Sequence, residues 1–271
     1  MEEIPNPLRI QELVHQCIDL LHDSPSDLQA CALVSRSWAS AAQANLFREV
    51  AFEYSSSMRR WSRLRDILRR SPHLIRHIHC LHLKALSGYL DSIEAFPAIC
   101  QFPFTHLHYA SIVFHHNNGP VSHSVGIAIQ QIISLPTLQR VCLRASFKPA
   151  SSFLQIWEKA SASIRHLELS YSGPYGMPEP VPVPSHPPLT SIALDSLRIT
   201  SLENIKDWLM HPLCPLDISH LKVLSIDEND AEFVPALRTI EVLDFEIVHT
   251  FVRCWIKYSY ISVSSLPTPA L

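Results

Sequence analysis

One apolar spacing, Leu-x-x-Leu-x-Leu in its fullest form, recurs along most of this chain. It occurs at Ile78/Leu81/Leu83, Leu107/Ala110/Ile112, Leu138/Val141/Leu143 and Ile164/Leu167/Leu169. It continues at Leu189/Ile192/Leu194, Leu221/Leu224/Ile226 and Ile240/Leu243/Phe245. The last two members of each set stand two residues apart, which puts both on one face of a strand. Successive sets lie roughly 20–30 residues apart, room for one short strand and a return segment per unit. Several intervening segments have helical spacing instead. Val125, Ile129, Ile132 and Ile133 share a face in one, Phe153, Ile156, Trp157 and Ala160 in another, and Leu202, Ile205, Trp208 and Leu209 in a third. A unit this small leaves its inner edge bare, so only stacking buries a core. The expectation is an α/β solenoid of irregular repeats.

The chain upstream has a different period. Leu13, Cys17, Leu20 and Leu21 recur at i, i+4, i+7 and i+8, which predicts a half-buried helix over about 8–22. Asp23-Ser24-Pro25 ends it, and Ser26 or Asp27 is placed to cap a second helix over about 27–34. That helix is expected to bury Leu28, Cys31, Ala32 and Leu33, and a third carries Trp38, Ala41, Ala42, Asn45 and Leu46. Three such short helices cannot bury all their apolar faces against one another, so some of that surface is left for a partner. A fourth helix, about 57–70, sets Trp61, Leu64, Ile67 and Leu68 on one face. Arg59, Arg60, Arg63, Arg65, Arg69 and Arg70 occupy the rest. It reads as a linker helix with a solvated basic face, its late arginines complementing the helix C-terminus. The expected organisation is a helical domain over 5–50, a linker helix over 51–73, a repeat domain over 74–250 and an atypical tail over 251–271. The fold class is therefore α, then α/β.

Composition narrows the partners. The formal net charge of −3 gives no broad attraction to nucleic acid or to an acidic membrane, and neither is expected as a partner. From Ala95 to Gln139 there is no Lys, Arg, Asp or Glu, but prolines, asparagines and histidines break the run, so it is not a membrane span. The N-terminus MEEIPNPLRI lacks the pattern of a signal peptide. Seven cysteines, odd in number and never spaced as Cys-x-x-Cys, read as buried free thiols of a reducing compartment, cytoplasmic or nuclear. Ser172–Pro188 contains seven of the 21 prolines and reads as an extended surface loop.

Motifs for chemistry are missing. There is no phosphate-binding glycine loop, no GxSxG elbow, no HExxH and no EF-hand loop, and five glycines leave little scope for cradling a phosphate. Sixteen histidines invite a metal reading, with His77, His79 and His82 in one group and His106, His108, His115, His116 and His123 in another. No cysteine or carboxylate joins them at ligand spacing, and alternate strand positions point to opposite faces. No catalytic residue, metal or cofactor is expected, and the function is read as non-catalytic. Asp227-Glu228-Asn229-Asp230 is read as the turn after a strand.

The N-terminal segment carries a resemblance. Ile10, Glu12, Leu13, Ile18, Leu21, Leu28, Cys31, Leu33, Val34, Ser35, Arg36, Trp38, Leu46, Phe47 and Arg48 follow an order similar to the F-box, above all to the F-box-like proteins of fungi. Its most specific part is Leu33-Val34-Ser35-Arg36-x-Trp38. The resemblance implies a three-helix F-box that docks on the Skp-type adaptor of a cullin–RING ubiquitin ligase. By the same resemblance, Ile10, Leu13, Ile18, Leu21, Leu28, Cys31, Val34, Trp38 and Leu46 would meet the adaptor. Ile10-Gln11 stands where the family usually has Leu-Pro, and a proline there would preset the helix start. The downstream spacing resembles leucine-rich repeats without the asparagine that usually closes their turn, and such repeats follow the box in many F-box proteins. The implied function is a substrate-recognition subunit holding an unknown target protein. The alternative is a leucine-rich-repeat scaffold or interaction protein unrelated to ubiquitin, its helices serving only as a cap.

The repeats also predict a binding face. Residues flanking the inward leucines would line the open side of the strands. Early strands would show His82, Lys84, Arg140 and Arg144 there, and later ones Glu168, Asp195, Asp227, Asp244 and Glu246. Such a face would change from basic to acidic along its length and could orient an extended partner.

Overall fold

The computed structural model describes residues 11–52, 58–86, 95–115, 121–147, 151–171, 181, 191–200 and 205–226. Three helices come first: α1 (Gln11–Asp19), α2 (Pro25–Val34) and α3 (Arg36–Leu46). Helix α2 starts two residues earlier than its spacing suggested. Ser24 takes the N-cap position rather than Ser26 or Asp27, and Pro25 at the first helical position has the preset φ and the missing donor that site tolerates. At α3 the Ser35 hydroxyl accepts from the Trp38 amide at 3.4 Å, an N-cap contact that separates α2 from α3. Val14, Ile18, Leu28, Ala41 and Ala42 form a small core of their own, and Asn45 Nδ2 donates to Asp19 Oδ1 at 2.8 Å across it.

The chain then alternates strand and return. In order come β1 (Glu49–Phe52), α4 (Met58–Arg70), a 3₁₀ turn (Pro72–His77), β2 (Cys80–Leu86), α5 (Ala95–Cys100), β3 (Tyr109–His115), α6 (His123–Ile133) and β4 (Arg140–Ala145). Then follow α7 (Ser151–Trp157), β5 (His166–Tyr171), β6 (Ile192–Ala193), β7 (Ser196–Thr200), α8 (Lys206–Leu209), β8 (Leu216–Asp217) and β9 (Val223–Ile226). Strands β1-β2-β3-β4-β5-β7-β9 form one parallel sheet in chain order, and β6 pairs with β8 in a second, two-stranded sheet.

This architecture corrects the expected one. The described residues form an α/β fold on a seven-stranded parallel sheet, not a three-helix box followed by a leucine-rich-repeat-like solenoid. Two observations carry the difference. Strand β1 begins at Glu49, inside the segment expected to be helical, and pairs with β2 through Val50↔Leu81 and Phe52↔Leu83. Helix α4, expected as a linker, sinks Trp61, Leu64 and Leu68 into the main core, where Trp61 stacks on Phe52 at 4.7 Å.

Apolar side chains at alternate strand positions make that core. Leu81/Leu83, Ala110/Ile112, Val141/Leu143, Leu167/Leu169 and Leu197/Ile199 lie side by side in register, buried against the helices. Strands β1 to β5 and β7 start with the same device: the carbonyl of the residue before each accepts two successive amides from the start of the next strand in the main sheet. The Arg48 carbonyl takes His79 and Cys80, the His108 carbonyl takes Gln139 and Arg140, and the Asp195 carbonyl takes Lys222 and Val223. One register expectation fails. The spacing at Leu189/Ile192/Leu194 falls on β6 of the small sheet, while the main sheet uses β7 and pairs Leu167↔Leu197 and Leu169↔Ile199. The spacing at Ile240/Leu243/Phe245, the tail 251–271, the turn 227–230 and nearly all of Ser172–Pro188 lie outside the described residues.

Candidate functional site

Two surfaces stand out, one on the helices and one on the sheet. On α1 the buried stripe is Val14 and Ile18, not the expected Leu13, Cys17 and Leu20. Both pairs have the i, i+4 spacing of one helix face, and packing against α3 selects Val14/Ile18. Leu13 (39%) and Leu20 (82%) are exposed, as is Cys17. On α2, Leu28 is buried while Leu33 (87%) and Val34 (65%) face outward. Leu33 lies about 140° from Leu28 around a helix of 3.6 residues per turn, so both cannot point into one small core.

The residues named by the resemblance therefore divide into two sets. Ile18 and Leu28 hold the three helices together from inside, and Leu21, Cys31, Trp38 and Leu46 are half-buried beside them. Leu13 and Val34 are exposed. Ile10 lies outside the described residues. Sequence reasoning placed Leu20 and Leu33 on buried faces, yet they are the most exposed large apolar residues among those described. The helical-wheel angle between Leu28 and Leu33 was the signal that could have found the second.

The sheet presents the other surface. Parallel sheets are normally covered on both faces. Here the helices cover one, and the opposite row stays largely half-exposed, as in the alternating burial of β5 and β7, although Cys142 of β4 is buried. One line across this open face runs Cys80, Tyr109, Arg140, His166, Ser196 and Val223. The next runs His82, Ser111, Cys142, Glu168, Arg198 and Ser225. A shallow hollow of about 360 Å³ lies over β3 to β9, bordered by Tyr109, Arg140, His166, Glu168, Ser196 and Arg198.

Charges on this face are mostly matched. His82 Nε2 lies 3.1 Å from a Glu49 carboxylate oxygen. Arg144, one strand over and diagonal to Glu168, gives both Nε–H and Nη2–H to the same carboxylate oxygen, and this bond raises the Arg144 pKa. Asp195 is not on a strand; it sits one residue before β7, and Lys222 Nζ lies 2.6 Å from its carboxylate and draws its pKa down. The expected swing from basic to acidic is therefore missing from the described part of the face, because Glu168 and Asp195 each carry their own cation. Lys84 is exposed, and Asp227, Asp244 and Glu246 lie outside the described residues.

The remaining groups have ordinary structural chemistry. His166 Nδ1 and Ser196 Oγ are 3.1 Å apart, a serine–histidine pair in outline. The Ser196 amide is spent on the Arg165 carbonyl in the ladder, so it is not free to stabilise an oxyanion. Burial pushes up the pKa of the Cys142 thiol, with Glu168 acting in the same direction, and that keeps it a poor nucleophile. The expected buried thiols hold for Cys100 and Cys142, but Cys17 is exposed and Cys31, Cys80 and Cys214 are half-buried. The His79 ring lies 5.9 Å from that of His106 and 5.5 Å from that of His108, and burial lowers the His79 pKa. Among the described residues no three His, Cys, Asp or Glu are arranged to hold a metal ion, and no described helix is long and apolar enough to cross a membrane. Comparison of the chain with protein-family models, with curated proteins and with solved structures found no match.

Proposed function

We propose that the chain is a substrate-recognition subunit of a cullin–RING ubiquitin ligase, working in the cytoplasm or nucleus. On this reading α1–α3 dock on the Skp-type adaptor, and the open face of the sheet holds a target protein. The protein itself performs no transfer chemistry.

One observation carries the reading. Among the described residues the exposed large apolar side chains are Leu13, Leu20, Leu33, Val34, Ile127 and Met210, and the first four belong to α1, α2 and the turn between them. That concentration lies within the segment whose order of residues resembles the F-box, Leu33 and Val34 being part of its most specific run. Exposed apolar side chains concentrated in one helical segment favour a protein partner over solvent. The separate core of the three helices further supports the reading, since it lets them keep their shape while their outer faces are occupied.

The test is co-expression of the tagged full chain with a Skp-type adaptor and its cullin, followed by affinity capture. Recovery of both with the wild type, and their loss from a folded Leu33→Glu variant, is the expected result. A folded wild-type chain that captures neither would sink the reading and leave the interaction scaffold unrelated to ubiquitin.

A further inference from the structure

We infer that Ser71 is a phosphorylation site for a proline-directed serine/threonine protein kinase, and that Arg69 and Arg70 hold the phosphate once it is attached. The donor is the γ-phosphoryl group of ATP. The bond from Ser71 Oγ to phosphorus forms as the bond from phosphorus to the leaving ADP oxygen breaks, and the hydroxyl proton passes to a base of the kinase.

Ser-Pro occurs twice in the chain, at Ser24-Pro25 and Ser71-Pro72. Both serines are half-buried and stand just ahead of a helical segment, Ser24 before α2 and Ser71 between α4 and the 3₁₀ turn. The proline that follows biases each away from helical backbone, and Ser71 has φ −134° and ψ 66°. A kinase cleft takes its substrate in such non-helical backbone. Two backbone hydrogen bonds hold the junction at Ser71. Its amide donates to the Ile67 carbonyl at 2.8 Å, and its carbonyl accepts from the Leu74 amide at 3.0 Å. Local opening of that pairing extends the segment without unfolding the sheet.

The two serines differ in what surrounds them. The Ser24 hydroxyl donates to Asp27 Oδ2 at 2.7 Å, and Asp23 precedes it in the chain. A phosphate there would displace a hydrogen bond and meet two carboxylates. The Ser71 hydroxyl makes no hydrogen bond with any described residue. Arg69, Arg70, Pro72 and His73 on either side of it are all exposed. Arg65, one turn back, is paired with Asp66 at 3.0 Å, whereas Arg69 and Arg70 make no ion pair with a described residue. The sequence has no Asp or Glu between Asp66 and Asp91, and α3, which packs on the 3₁₀ turn, has none either. A dianion on Ser71 therefore meets two free guanidiniums and no like charge, the setting in which a phosphate gains charge-assisted hydrogen bonds.

The test is incubation of the folded full chain with ATP and a kinase of the cyclin-dependent type, and in parallel one of the mitogen-activated type, with each site quantified by peptide mapping. At least one kinase is expected to modify Ser71 at an initial rate about tenfold or more above that of Ser24. Ser71→Ala should remove that phosphopeptide and leave the rate at Ser24 unchanged. Phosphorus NMR then reads the phosphate itself. Its second pKa should lie below the ordinary value of about 6, and should return towards it in the phosphorylated Arg69→Gln/Arg70→Gln variant. Failure of both kinases to modify Ser71, or modification of Ser24 as fast or faster, would overturn the site. A phosphate pKa at or above the ordinary value, or one indifferent to the arginine substitutions, would overturn the arginine clamp.

Discussion

Truncating two close neighbours at the end of α1, Ile18→Ala in its last turn and Leu20→Ala just after it, should have opposite consequences. Ile18 is completely buried against Val14, Leu28, Ala41 and Ala42. Removing the carbons beyond Cβ forfeits about 0.8 kcal/mol for each, and the cavity left behind adds to it. The expected loss is roughly 2–5 kcal/mol, enough to open a core this small. Leu20 is mostly in water, so the same truncation there should stay within about 0.5 kcal/mol. Hydrogen exchange of the α1 and α3 amides, with urea unfolding of the whole chain, separates the two. Fast exchange across α1–α3 in Ile18→Ala and wild-type protection in Leu20→Ala is the predicted result. Equal destabilisation by both would mean that the Leu13/Cys17/Leu20 stripe is the buried one after all, and the exposed docking surface would disappear with it.

Three further outcomes follow from the same packing. The buried Ser146 hydroxyl has no hydrogen-bond partner among the described residues, so Ser146→Ala should leave stability unchanged or raise it by about 1 kcal/mol in urea unfolding. His77 and His79 both have pKa values lowered by burial, and by neighbouring cations and imidazoles after that. The unfolded chain therefore takes up protons first as pH falls below about 6.5, and stability should drop from there down through the folded-state values. His77→Gln and His79→Gln should flatten that slope in unfolding midpoints measured from pH 7 to pH 5. Burial holds the Cys100 thiol well above its ordinary pKa and pushes that of Cys214 up to about 12. A maleimide at neutral pH should thus label exposed Cys17 long before either, as peptide mapping by mass would show.

Much of the sheet was legible because a strand's two-residue alternation is rigid. Leu81/Leu83, Val141/Leu143 and Leu167/Leu169 announce their inward face, and His82, Arg140 and Glu168 then have nowhere to point but the open one. Where two registers satisfied the same rule, spacing could not choose. Leu189/Ile192/Leu194 and Leu194/Leu197/Ile199 overlap at Leu194, and it is pairing with Leu167 and Leu169 that gives the second set to the main sheet. The same ambiguity misled the reading of α1, where Leu13/Cys17 and Val14/Ile18 are equally good helical pairs until α3 packs on one of them. The ion pairs of the open face were beyond reach for another reason. Arg144 meets Glu168, and Lys222 meets Asp195, only once strand order and register bring distant segments side by side. Without that knowledge the acids of the later strands looked unpaired, and a charge gradient seemed to follow.

The most direct test of the account is calorimetric titration of a purified Skp-type adaptor into the full chain, wild type and Leu33→Glu/Val34→Glu. Both side chains are exposed, so the double variant should fold as the wild type does. Each apolar side chain buried at an interface is worth about 1.5–3 kcal/mol, so losing both should weaken the complex by roughly a hundredfold or more. A saturable one-to-one complex for the wild type, lost or weakened to that extent in the folded double variant, is the predicted result. A wild type that binds no adaptor, or a double variant that binds it equally well, would contradict the assignment of α1–α3 as the docking module.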